Sequence, residues 1–135
     1  MRRRFLPSIN DHNDRKGAYA TEWEGWVSIS RIEVNTTRRI NRTLASEVRE
    51  KVEDQMGCYA ILHETNSAAY VLYVGFSKIL RSEIVKRLNE ADLLDDSSTT
   101  FTAVYIPNFR QATHYEDELI RYYAPPWNTK FHKQG

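Results

Sequence analysis

The residues of this 135-residue chain with the most chemical scope are one carboxylate, two phenols, two guanidinium groups and an amide. Residues 111–123 read as a helix, and a helix advances by about 100° per residue. On that advance Ala112, Tyr115, Leu119, Ile120, Tyr122 and Tyr123 share one arc, and Glu116 projects into it between Ile120 and Tyr123. Asp117 and Glu118 point elsewhere. A carboxylate on a core-facing stripe is costly unless it is paired, protonated or bound to a cation. Glu116 is therefore a candidate functional carboxylate, with a buried salt bridge as the alternative. Tyr59 and Tyr73 lie in Gly57-Cys58-Tyr59 and Tyr73-Val74-Gly75. A phenol exchanges protons where a cation or metal lowers its pKa; cross-strand packing is the alternative use of each ring. Arg81 and Arg87, with Lys78 and Lys86, follow on the next helix, where cations suit a phosphate. Asn128, in Pro125-Pro126-Trp127-Asn128, could fix a loop or reach a ligand.

These residues need elements to hold them. Residues 58–63 and 70–74 read as strands, joined by a turn whose Asn66-Ser67 favours an antiparallel hairpin. Leu80, Ile84 and Leu88 recur at i, i+4 and i+8, which predicts an amphipathic helix over 79–90. A polar, acidic loop over 92–100 leads to a third strand at 101–106, stopped by Pro107-Asn108. The helix at 111–123 ends at Ala124-Pro125-Pro126, since the residue before proline avoids the helical region. Upstream, Thr43 is predicted to cap a helix from Leu44 to about Gln55, stopped by Gly57. The order strand, strand, helix, strand, helix defines a small α+β unit with helices on a three-stranded antiparallel sheet. Residues 1–22 read as a basic arm, 23–56 as an N-terminal extension containing a helix, and 57–135 as the main domain.

Composition narrows the classes available. An apolar content of 41% with 27% charged residues describes a globular chain rather than a disordered one. No stretch approaches the roughly 20 apolar residues that a bilayer crossing needs. The opening Met1-Arg2-Arg3-Arg4-Phe5-Leu6-Pro7 lacks the apolar run of a secretory signal, so an intracellular, cytoplasmic protein is expected. The single Cys58 excludes an internal disulfide framework and a multi-cysteine zinc site. His12, His63, His114 and His132 are too scattered for ligand spacing. Net charge is +1, yet residues 1–42 hold nine Lys or Arg against five Asp or Glu. A basic arm ahead of a balanced body suits a phosphate backbone, and equally suits a solvated tail.

Taken in order, the motifs resemble the GIY-YIG nuclease superfamily. Gly57-Cys58-Tyr59 matches the first triplet, with Cys where Ile or Val is common, and Tyr73-Val74-Gly75 matches the second. Glu116-Asp117-Glu118-Leu119-Ile120, followed by Pro125, Trp127 and Asn128, matches the family's ending. The resemblance covers residues 57–128 and rests on several short motifs in the right order, which is more specific than any one of them. It implies a three-stranded antiparallel sheet flanked by helices, and hydrolysis of a phosphodiester in double-stranded DNA with one Mg²⁺ or Mn²⁺. Glu116 would be the carboxylate ligand. Tyr59 and Tyr73 would line the scissile phosphate, one of them helping to deprotonate the attacking water. Asn128 would support the site or bind near the metal.

One position departs from the family. Its Arg stands eight residues after the second triplet's Gly, and that position here is Glu83. Arg87, one turn further on the same face as Glu83, is the favoured replacement; Arg81, from the preceding turn, is the other. If neither serves, Glu83 and Arg87 simply pair, and the chain is a catalytically inactive nucleic-acid-binding or partner-binding module. A single active site cuts one strand, so a homodimer, with Trp23 and Trp26 buried between copies, is one route to a double-strand break.

Overall fold

The computed structural model describes residues 20–27 and 38–128. The expectations placed on Arg2, Arg3 and Arg4, on His12 and His132, and on the parts of the extension and main domain at 28–37 and 129–135 lie outside the described residues. The structure is α+β with an antiparallel sheet. Its strands are β1 (Arg39–Leu44), β2 (Gly57–Glu64), β3 (Ala69–Ser77) and β4 (Thr99–Tyr105), in the order β1-β4-β2-β3. Helix α1 (Val48–Lys51) is a single turn, while α2 (Leu80–Glu90) and α3 (Phe109–Tyr123) cover the two faces of the sheet.

The sheet has four strands rather than the three expected. Arg39–Leu44 adds to β4 as an edge strand, with the Thr102 hydroxyl donating to the Ile40 carbonyl at 2.6 Å. The expected helix from Leu44 to about Gln55 is cut down to a short 3₁₀ and α-helical stretch over Ala45–Glu47 and Val48–Lys51. Thr43 donates its hydroxyl to the Asn41 carbonyl instead of capping, a 3₁₀ turn spans Ala45–Glu47, and the chain is extended again at Val52. Ala45, Val48 and Val52 are all buried, so this short turn already places the apolar residues of the segment in the core. A boundary at residue 57 therefore falls between strands of one sheet.

Side-chain alternation along β2 builds two cores. Tyr59 and Ile61 face α2 with Leu80, Ile84, Leu88 and Phe101; Cys58, Ala60 and Leu62 face α3 with Ala112, Tyr115, Leu119 and Tyr123. In β3 the alternation is interrupted. Ile61 pairs with Tyr73 and Leu62 with Val71, so Leu72 is an extra residue, a β-bulge. Leu72 and Tyr73 consequently share the α2 face, while Val71 and Val74 share the other.

Residues 20–27 lie against the outer edge of β3 and over the α3 face. The Trp23 amide donates to the Ala69 carbonyl at 2.8 Å and the Val71 amide to the Thr21 carbonyl at 2.9 Å. The Trp23 ring stacks on Tyr123 at 5.2 Å, and Trp26 donates Nε1–H to the Thr102 hydroxyl. Both tryptophans are partly buried within one chain, against Tyr123, Tyr115 and Thr102. Among the described residues, no helix is long and apolar enough to cross a membrane.

Candidate functional site

The site begins with a glycine. Tyr59 on β2 pairs with Gly75 on β3, and a Cβ at Gly75 would stand 2.7 Å from the Tyr59 ring. The missing side chain lets that ring lie across the strand, so the tyrosine of the first triplet depends on the glycine of the second. Tyr59 is fully buried, and its hydroxyl donates to Glu83 Oε2 at 2.9 Å. Burial, reinforced by Tyr73 and the Glu83 charge, holds its pKa well above the usual value, so it remains a donor.

Helix α2 exists because Leu80, Ile84 and Leu88 bury one stripe. That stripe sets Glu83 and Arg87 on its flank, one turn apart. The same Glu83 oxygen that accepts from Tyr59 also accepts from Arg87 Nη2 at 3.2 Å. Arg87 is held with its guanidinium carbon 4.9 Å from the Tyr73 ring centroid, a cation–π distance. The Tyr59 and Tyr73 rings are 6.0 Å apart, tilted by 45°. Tyr73 retains slight exposure. Burial raises its pKa, Arg87 opposes the rise, and Glu116 adds to it.

Of the two arginines, Arg87 meets the tyrosines. Arg81 is not on the buried arc of α2: its side chain is 45% exposed and its Nη2 lies 3.7 Å from Asp54 Oδ2. Asp54 also accepts from the Ser82 amide and hydroxyl, both at 2.8 Å. It thereby caps α2 from outside the helix, whose own N-cap residue Ile79 makes no side-chain bond.

Glu116 is half-buried beside the buried stripe of α3 formed by Ala112, Tyr115, Leu119 and Tyr123. Tyr122, assigned to that stripe from sequence, is instead 44% exposed, with its hydroxyl donating to Glu24. Burial, with Asp117 adding, pushes the Glu116 carboxyl up to about 7. No hydrogen bond or ion pair to this carboxylate is made among the described residues. Its charge adds to the upward shift of both the Tyr73 phenol and the Cys58 thiol.

Asn128 has a different post. It is buried, and its Oδ1 accepts from the Val74 amide while its Nδ2 donates to the Val74 carbonyl, each at 2.7 Å. This contact supports β3 between Tyr73 and Gly75. The residues of the site thus come from β2, β3, α2, α3 and the segment after α3.

No group of three or more His, Cys, Asp or Glu side chains suited to a metal occurs among the described residues. A one-carboxylate site needs no such group, because Mg²⁺ keeps several waters and binds through one or two carboxylates plus substrate phosphates. Glu116, half-buried and with no cationic partner among the described residues, fits that role; Glu83 is engaged by Tyr59 and Arg87. The bridging of Glu83 had one trace in the sequence, its i, i+4 spacing from Arg87. Asp54 had none, since it reaches Ser82 across 28 residues. No protein-family model, curated protein or solved structure matches this chain.

Proposed function

We propose that this chain is a metal-dependent endonuclease of GIY-YIG type, hydrolysing phosphodiester bonds in DNA. The observation that carries the reading is the placement of Arg87 over Tyr73, fixed through Glu83 and Tyr59; a half-buried Glu116 on α3 adds its charge to the upward shift of Tyr73. Glu116 would hold a Mg²⁺ or Mn²⁺ ion, which when bound supplies positive charge opposite the phosphate oxygens. Arg87 stabilises the charge that builds on the phosphoryl group. Tyr73, the more exposed phenol, accepts a hydrogen bond from the attacking water and aligns it. Tyr59 acts through Glu83, whose carboxylate fixes the guanidinium, and is a positioning residue. Asn128 is also a positioning residue, acting on Val74.

Purified protein incubated with supercoiled plasmid and Mg²⁺ or Mn²⁺ tests this reading. The expected result is nicking by the wild type that Glu116→Gln and Arg87→Ala abolish while their circular dichroism is unchanged. Undiminished cleavage by Glu116→Gln would overturn it.

One observation favours a second reading, an inactive DNA- or partner-binding module. A carboxylate, Glu83, stands where the resembled family has its cation, and it bonds both Tyr59 and Arg87. That reading expects salt-dependent DNA binding without cleavage in any divalent ion.

A further inference from the structure

The tyrosine site already contains an anion of its own. Glu83 Oε2 accepts from the Tyr59 hydroxyl at 2.9 Å and from Arg87 Nη2 at 3.2 Å. One oxygen held between a phenol and a guanidinium stands as a phosphoryl oxygen would stand at the same two donors. Arg87 Nη1 also lies 3.8 Å from Glu90 Oε1, so two carboxylates of its own helix flank the cation. The charge that the site offers to a phosphate is therefore already compensated within α2.

This internal pairing is of a kind that gives way. The Glu83–Arg87 contact is longer than the about 2.7–2.9 Å of a strong charge-assisted N–H···O bond. It joins residues four apart on one helix, with 29% of the Arg87 side chain and 22% of the Glu83 side chain exposed. Partly exposed pairs of this spacing contribute little, whereas a phosphodiester can engage both arms of a guanidinium. Exchange need not displace Arg87, because its guanidinium carbon rests 4.9 Å from the Tyr73 ring centroid, a seat that does not involve Glu83. Tyr59 is fully buried and its ring lies across Gly75, so its hydroxyl also keeps its place. The Glu83 side chain is the part that can turn outward.

We propose that Glu83 is an internal substitute for a substrate phosphate, a latch that fills the position between the Tyr59 hydroxyl and Arg87 until a phosphate group of DNA displaces it. In the free protein the carboxylate fixes the guanidinium. In the complex a phosphoryl oxygen takes over both donors, and Glu83 turns to solvent. The latch weakens the hold on any phosphate. It yields to a strand tethered by further contacts along its backbone sooner than to a lone ion, because tethering raises the effective concentration of the competing group.

The proposal rests on the nuclease reading for its ligand, yet its test does not require cleavage. Fluorescence anisotropy of a labelled DNA duplex in chelator, at fixed salt, compares wild type with Glu83→Gln, Glu83→Ala, Arg87→Ala and the double variant Glu83→Gln/Arg87→Ala in the full chain. Glu83→Gln keeps an acceptor for Tyr59, and thermal midpoints report whether each variant is folded. Both Glu83 variants are expected to bind roughly tenfold tighter than wild type, the scale of one hydrogen bond to a charged group. Loss of a negative charge near DNA helps binding in any case, so the gain must run through Arg87. Adding Glu83→Gln to Arg87→Ala should change affinity by less than about twofold. Unchanged or weaker binding by Glu83→Gln, or a gain that persists without Arg87, overturns the latch. Nicking by wild type in Mg²⁺ without that gain overturns the latch alone. The gain without nicking by wild type or Glu83→Gln overturns the nuclease reading alone.

Discussion

Asn128 closes the outer edge of β3 by forming two hydrogen bonds with the backbone of Val74, accepting from its amide and donating to its carbonyl. A side-chain amide here does the work of a neighbouring strand. It holds the backbone that presents Tyr73 on one side and Gly75 on the other. Asn128→Ala would leave two buried groups unsatisfied and should cost about 2–4 kcal/mol, read by urea denaturation. Asn128→Asp retains the acceptor but sets a carboxylate against the Val74 carbonyl. It should therefore be no better tolerated.

The ionisation of Glu116 gives a second test. Its folded carboxyl titrates near 7, above the ordinary carboxylate range. Between those two values the folded state binds more protons than the unfolded chain, so stability must fall as pH rises. In chelator, the thermal midpoint of wild type should fall between about pH 5 and pH 8 more than that of Glu116→Gln. Mn²⁺ at the higher pH should restore the wild type and leave Glu116→Gln unmoved. A midpoint indifferent to Mn²⁺ would remove Glu116 as a ligand.

The two signature glycines should differ in tolerance. An alanine Cβ at Gly75 meets the Tyr59 ring, a side chain that can shift. Gly75→Ala should cost about 1–3 kcal/mol and alter the near-ultraviolet tyrosine signal as the hydroxyl leaves Glu83. At Gly57 the Cβ would fall on the backbone carbonyl oxygen of Val104, which cannot shift without breaking β2 from β4. Gly57→Ala should be the more damaging of the pair, seen as a lower urea midpoint.

Asp54 provides a fourth prediction. Asp54→Ala removes the bonds to the Ser82 amide and hydroxyl and should cost about 1 kcal/mol, as helix caps do. The Ser82 amide bond lowers the Asp54 pKa, so this stabilisation is fully present above the ordinary value and lost as pH falls through the folded one. The stability difference between wild type and Asp54→Ala should therefore shrink in acid.

Much of this architecture was legible in the sequence where the signal was local. Strands β2, β3 and β4 announced themselves as apolar runs, and α2 and α3 as stripes at helical spacing. β1 did not, because Arg39–Leu44 is mostly polar and is held by backbone pairing with a strand about 60 residues away. The inward placement of Glu116 followed from helical rotation alone. The preference for Arg87 over Arg81 followed from its i, i+4 spacing to Glu83; the pairing of Arg81 with Asp54 outside the stripe did not. That Tyr59 is sealed beneath Glu83, leaving Tyr73 as the more accessible phenol, depends on how three elements meet.

The extra residue in β3 has one more consequence. Removing a residue from a regular strand turns every side chain beyond it to the opposite surface. Excising Leu72 would instead restore uninterrupted pairing, with Tyr73 and Val71 still facing as they do now. The penalty would be confined to a leucine-sized void under α2, making this a point where β3 can be shortened without scrambling what it displays.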